Sequence, residues 1–432
     1  TNPAPGSASH YPGSFKSSTS NELLKFFNGI HLLSDEGLRW IQGQVGEEVD
    51  CSKLRAFELP WANPHRLHYQ TTVSGDIIPE IPRREILEMY VMRYTSSFTS
   101  LVFPVISKSL FMGTLDLAYG PQCVFGYTSA RACVYSFIAL MNLFGFDENT
   151  HEAVDCGSYA SAAQSAVPQI IEEMTVDGLQ SLIVLVHLQY FLGDLQSAAI
   201  SISIATRLLY KFGAHTNPAG VSFAAHLPPY NKAILEYHIR DLFWVCYSFD
   251  KDISLRMGQP ASINDLDCDL SLPLEYVRLQ NSNIQRDDLK PDDYTLPLFP
   301  WDLRLSKIKS EAYNALYSVN AGFKSDCQVL ESIRCLDAAL EEWRLSLNSE
   351  VPSLALFYSI LKNPLQSDSF NDVAILHELP AMINEIPIRN LTPAEMVHLR
   401  FVNGFTTELA RLAMCAVSKA HRELGSSGEI RA

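Results

Sequence analysis

From Pro82 onward, apolar residues return at three- and four-residue steps, the period of helices that bury one face. Helices are expected over Arg84–Phe98, Ser107–Leu117 and Ser129–Leu143, and over 151–168, ending at a break at Pro168. Asp177–Gly213 reads as an αα-hairpin: LQSLIVLVHLQYFL, a Gly193-Asp194 turn, then LQSAAISISIATRLLYKF. The first of these is apolar around most of its circumference, which places it centrally in a bundle. In the second, Ala198, Ala199, Ser201, Ser203 and Ala205 allow a neighbouring helix to approach closely or leave room for a ligand.

A further helix puts Ile239, Leu242, Phe243, Cys246, Phe249, Ile253 and Met257 on one face. It stops at Gly258 and Pro260, since Gly tolerates the left-handed turn that ends helices and Pro cannot continue one. Asp250 lies on that apolar face. A buried carboxylate needs a cation, and Arg207 on the preceding helix is the predicted partner. Residues 276–300 read as a polar surface loop. From Trp301, LRLSKIKSEAYNALYSV and ESIRCLDAALEEWRLSL follow with clear helical periodicity. Thr392-Pro393 then caps and opens a last helix running to about His421.

Upstream, residues 1–20 are rich in Pro, Gly and Ser and read as a flexible linker. Ser34-Asp35-Glu36 caps a short helix, LRWIQGQVG, and residues 50–80 carry the prolines of extended segments. The pattern predicts an all-α fold, a multi-helix array of antiparallel pairs. Residues 21–80 form an irregular N-terminal extension packing on a helical domain over 81–432.

Composition narrows the function. The 432 residues are 47% hydrophobic and 19% charged, which is globular, and the net charge of -15 opposes a nucleic-acid-binding role for this segment. Nine scattered cysteines form no CxxC pair and no zinc spacing, as in reduced intracellular proteins. The longest apolar stretch, 182–192, is broken by His187 and Gln189 and is too short to span a membrane; no signal peptide is visible. The chain starts at Thr1 and is expected to be a fragment.

Metal and enzyme chemistry find little support. Asp265, Asp267 and Asp269 alternate as in a calcium loop, but Leu270 stands where the turn glycine belongs and Tyr276 where the terminal Glu belongs. Cys268 sits between two carboxylates that disfavour a thiolate. DDLKPDD over 287–293 invites comparison with the magnesium-holding carboxylates of terpene cyclases, yet Pro291 interrupts the helix they need. No GxSxG, P-loop, GxGxxG after a strand or HExxH occurs, so no catalytic residue and no metal ligand is assigned.

The stretch LFWVCYSFDKDISLRMGQP, with its Leu-Phe-Trp, Tyr and Asp before Gly-x-Pro, resembles the regulatory "middle homology" domain of fungal Zn2Cys6 binuclear zinc cluster transcription factors. LLSDEGLRWIQGQVGE (32–47), Tyr90–Phe111 with its FPVI, the 179–215 hairpin ending Gly-Ala-His, LSKIKSEAYNALYS and LDAALEEWRLSL are similar to other parts of the same family. Gln259 departs from it where Arg is common, and the zinc cluster is absent. The resemblance implies a nuclear, fungal-specific, non-enzymatic regulatory domain that controls an attached DNA-binding cluster in response to a small molecule. Zinc is expected only in that cluster, and DNA would be reached only through it. Arg207, Trp244, Asp250, Gly258 and Pro260 are its structural motif. A ligand would lie near the hairpin, with His187, Gln189, Tyr190, Ser201 and Ser203 as polar lining. The alternative is a ligand-free scaffold that dimerises, masks an activation segment or binds a coregulator, with an exposed apolar patch.

Overall fold

A computed structural model describes residues 35–50, 54, 79–144, 146, 156–216, 229–273, 275–284, 296–346 and 393–429, and part of 357–385. The regular elements among the described residues are helices, with no strand among them. The 287–293 acidic run, the Ser34 and Thr392 caps and residues 1–20 lie outside them.

In chain order the helices are α1 (Asp35–Val45), α2 (Arg84–Thr95), α3 (Phe98–Val102), α4 (Lys108–Ala118), α5 (Tyr127–Leu143), α6 (Cys156–Ser165), α7 (Val167–Glu173), α8 (Val176–Phe191), α9 (Leu195–Lys211), α10 (Pro229–Met257), α11 (Tyr276–Ile284), α12 (Leu303–Ala312), α13 (Asp326–Leu345), α14 (Ser369–Glu385) and α15 (Pro393–Glu429). Ser107, Thr175 and Asp194 cap α4, α8 and α9 by accepting a backbone N–H one turn on.

Several expectations change: the helix expected over Arg84–Phe98 ends at Thr95, where Ser97 caps a new one, and the last helix runs on to Glu429. Pro168 falls in the first turn of α7 and so opens a second helix rather than only closing the first, because a helix's first turn needs no N–H from it. The 276–300 loop begins as helix α11, anchored by the buried Tyr276, whose hydroxyl accepts the Leu303 N–H at 3.1 Å. The helix after Trp301 is interrupted: α12 passes into a π-turn at Tyr313–Tyr317 and a 3-10 turn at Val319–Phe323 before α13.

Sequential neighbours pack on one another from α4 through α5, α8, α9 and α10 to α12, giving an array whose core runs from Leu87 to Leu303. Gly178 is where α8 meets α7: a Cβ there would stand 2.7 Å from Ile170 Cγ2, so no larger residue fits without a shift. A second hydrophobic core joins Leu38, Ile41 and Val45 of α1, with Val49 and Leu54, to Phe357, Leu376, Leu409, Ala413 and Val417. Its rim is polar. Lys419 Nζ donates to Gly43 O at 2.6 Å, and Arg411 bonds the Glu408 carboxylate and Glu48 O.

Candidate functional site

Helix α10 runs through the first core, and Leu242 through Ser254 are all buried. Three consecutive charged residues, Asp250, Lys251 and Asp252, therefore lie inside the protein on three different sides of one helix. Each must be met by a polar partner, since an uncompensated buried charge costs several kcal/mol.

Two of them grip the loop that follows the helix. Gly258 takes a left-handed φ of 65° and Gln259 N–H returns to Ser254 O at 3.2 Å, which closes the helix end before the exposed Pro260. The loop then folds back. Asp250 accepts the Ser262 and Ile263 N–H groups at 2.8 and 2.9 Å. Lys251 Nζ donates to Ile263 O at 2.5 Å, reaches Asp265 Oδ1 at 2.9 Å and lies 3.6 Å from Asp250 Oδ2. Tyr247, under the Lys251 ammonium, donates to Asp265 at 3.3 Å. Burial pushes the Asp250 carboxyl above the usual carboxylate range, and Lys251 and the two N–H groups oppose that rise.

The cation that meets Asp250 is thus Lys251. The expected Arg207 partner stands on the exposed side of α9. The error has a physical cause. A face reading of α10 turns Lys251 away from Asp250, but the helix is buried all round, and the flexible lysine stem carries its charge back.

Asp252 faces the other way. It accepts from Lys309 of α12 at 2.5 Å, from Arg256 at 2.6 Å and from the Tyr190 hydroxyl of α8 at 2.7 Å. Burial alone would raise its pKa, but Lys309 and Arg256 together hold it below the usual carboxylate range. One carboxylate so joins three helices. Arg240, lower on α10, stacks against Phe243 and Trp244 and donates to Ala214 O at 2.9 Å and to Asp269 O. Trp244 itself is fully packed between Phe243 and Tyr247. Lys251, Asp252, Arg240 and Lys309 were not foreseen. The signal for the first two was Asp-Lys-Asp inside a run whose aromatic residues occupy every side of the helix.

The hairpin residues expected to line a ligand site are placed as follows. Ser201 Oγ donates to Gln189 Oε1 at 2.8 Å, both buried. Ser203 Oγ lies on the surface, 2.7 Å from Ser262 Oγ in the loop. Tyr190 serves Asp252. These groups are partnered within the protein. His187 is different. Its Nδ1 donates to Ile183 O at 2.7 Å, while Nε2 is fully buried and meets no hydrogen-bond partner among the described residues. An unsatisfied buried acceptor costs about 1–3 kcal/mol. Burial lowers its pKa from 6.5 to about 4, so the ring is neutral near pH 7.

Two surface clefts, of about 430 and 420 Å3, lie away from the hairpin. One is bordered by Asn363 and Gln366; the other, between α12 and α13, by Glu311, Lys324, Glu331 and Cys335. In the acidic loop, Asp265 faces Lys251, Asp267 faces Asn264 and Asp269 faces Ser271, so the three carboxylates do not converge. Among the described residues no group of three His, Cys, Asp or Glu side chains is placed to hold a metal, and no helix is long and apolar enough to cross a membrane.

Residues 140–345, which include the hairpin, α10 and the clamped loop, match the family described as the fungal specific transcription factor domain. Over that stretch the chain is similar to a fungal specific transcription factor domain. Over 332 residues it is 24% identical to an ABC-transporter-regulating transcription factor of Aspergillus oryzae, covering 74% of this chain and 35% of that protein. A protein of the same description from Aspergillus fumigatus matches at 24% identity over the same shares. An uncharacterized transcriptional regulatory protein of Schizosaccharomyces pombe is 23% identical over 75% of this chain and 46% of its own length. The chain therefore spans between a third and a half of these relatives. No solved structure matches.

Proposed function

We propose that this chain is the regulatory region of a nuclear transcription factor, controlling an attached Zn2Cys6 DNA-binding cluster in response to a small molecule. The match over residues 140–345, together with relatives named as transcription regulators, carries the reading. The net charge of -15 agrees with DNA being held elsewhere, because a surface of that sign repels phosphate. Zinc belongs to the attached cluster, and the role of this region is regulatory rather than catalytic. An effector would act by binding one arrangement of the helices more tightly than another.

Native mass spectrometry followed by a thermal-shift screen of sugars, lipids and aromatic metabolites tests sensing. A bound species, or a melting temperature that climbs with ligand concentration, supports it. A clean mass and no shift across the screen argues for the second reading, a ligand-free scaffold. That reading has an observation of its own: Val319, Phe323, Leu330 and Leu345, around α13, leave 82%, 82%, 54% and 70% of their surface exposed. Sedimentation of the purified region, with and without Phe323→Ser, then reports whether these exposed residues join two copies.

A further inference from the structure

Helix α13 is mounted by one side. Leu336 is buried, the Trp343 indole N–H donates to Asp302 Oδ2 at 3.0 Å, and Ser332 Oγ accepts from Lys324 Nζ at 2.9 Å. Ser332, Leu336 and Trp343 stand at steps of four and seven, so they mark the side that meets α12 and the π-turn. Lys324 Nζ also donates to Ala315 O at 2.9 Å, which ties the start of α13 to that turn.

A different side faces out. Leu330, Ile333, Asp337 and Leu340 recur at steps of three, four and three, the spacing of the contact seam between paired helices. All four are exposed. Beside the side that holds it to the protein, α13 therefore carries a further apolar stripe about three turns long.

The stripe has one polar member. Asp337 occupies the place where the repeat calls for another apolar residue, and among the described residues it has no hydrogen-bond or ion-pair partner. Asp326 lies one turn before Leu330 and Glu341 one turn after Asp337, with Arg334 beside Ile333. A single polar residue inside an apolar seam selects partner and register, because covering it strips water from its charge unless the partner supplies the opposite one. For a carboxylate the opposite charge is a cation.

We propose that this side of α13 docks an amphipathic helix of a basic partner protein, whose apolar stripe seats on Leu330, Ile333 and Leu340 and whose lysine or arginine meets Asp337. Such a helix presents its anchors at the same three- and four-residue steps. A second copy of this chain fits less well, since it brings the same acids to the same stripe and a net charge of -15 of its own. The proposal goes beyond effector sensing and does not depend on it.

Two synthetic helical peptides of about twenty residues are the probes. They share one leucine stripe and differ only at its central position, lysine in one and glutamate in the other. Titrated by fluorescence anisotropy against the whole chain, the lysine peptide should bind about tenfold more tightly. Asp337→Lys should reverse the preference, and Ile333→Ser should weaken the lysine peptide about tenfold. Both side chains are exposed, so the variants should melt with the unaltered chain. Hydrogen exchange on the unaltered chain is the second readout: the lysine peptide should protect α13 and leave α8 as it was. Equal affinities, no binding of either peptide, a lysine preference that survives Asp337→Lys, or protection that misses α13 would each overturn the proposal. So would a dimer of the unaltered chain that Ile333→Ser dissolves, because a second copy would then occupy the stripe. A ligand found in the effector screen while neither peptide binds would sink this docking site and leave sensing intact.

Discussion

The first core draws its residues from Leu87 to Leu303 helix by helix, and each helix packs on one close to it in sequence. The second joins residues 38–54 to residues 357–417, so its two parts meet only after the whole of the first core has intervened. The cores also treat charge differently. The first holds Asp250, Lys251 and Asp252 inside, where every one is tied to a neighbouring element. The second keeps its main ion pair at the rim, where Arg411, 40% exposed, covers the buried Glu408. Local succession can carry a buried polar network, because its partners are positioned by adjacent helices. A core closed across a long loop rests mainly on apolar side chains and edge contacts.

The sharpest way to break this contrast is Lys251→Met. It strips the cation from Asp250 and Asp265 and the donor from Ile263 O, and should cost about 3–5 kcal/mol in denaturant unfolding. A loss under about 1 kcal/mol would mean that the charges inside the first core are dispensable. Leu409→Ala, fully buried in the second core, should cost about 2–5 kcal/mol. Hydrogen exchange should then rise in α1 and α15 while α8 stays protected. Equal loss of protection in α8 would show that the two cores unfold as one.

Acid separates the cores as well. The folded-state pKa of His187, about 4, lies below its ordinary 6.5, so the unfolded chain binds the proton more readily. The stability tied to its neutral form is complete above pH 6.5 and falls as the pH drops toward 4, by at most about 3 kcal/mol. Asp252 adds to this at lower pH. Its depressed pKa contributes stability above the usual carboxylate range, lost as the pH falls through its folded value. His187→Phe should flatten the stability profile between pH 6.5 and 4, and an unchanged slope would place the acid response elsewhere. The smallest effect is expected from Arg207→Ala. The exposed Arg207 should change stability by no more than about 0.5 kcal/mol, and a larger loss would restore it as a partner of the buried network.

Much of the first core was readable from periodicity. The hairpin, its Gly193-Asp194 turn and the Gly258 stop fall where expected because each depends on residues within a few positions. The partner of Asp250 was not readable. A helical wheel gives the direction of a side chain from its own axis, but not the rotation of the next helix or the reach of a bent lysine. Residues 276–284 look polar enough for a loop, and only the burial of Tyr276 against the start of α12 makes a helix there intelligible. The amphipathic α1 was visible, whereas its docking on α15 was not, since no local pattern names a partner so distant. Among the candidate site residues, the sequence could single out polar positions on the hairpin. It could not tell Gln189, which Ser201 satisfies, from His187, which nothing among the described residues satisfies at Nε2.

The clamp on Ile263 has a consequence for the backbone itself. Its N–H goes to Asp250 and its C=O to Lys251, the two bonds a strand would receive from a neighbouring strand. Two adjacent side chains of a helix here act as a borrowed sheet edge for one residue. Such an edge has a polarity: sliding the loop by a single atom group would set carbonyl against carboxylate and N–H against ammonium. The loop therefore has one seating and no neighbouring register to slip into, so it either sits fully home or leaves altogether.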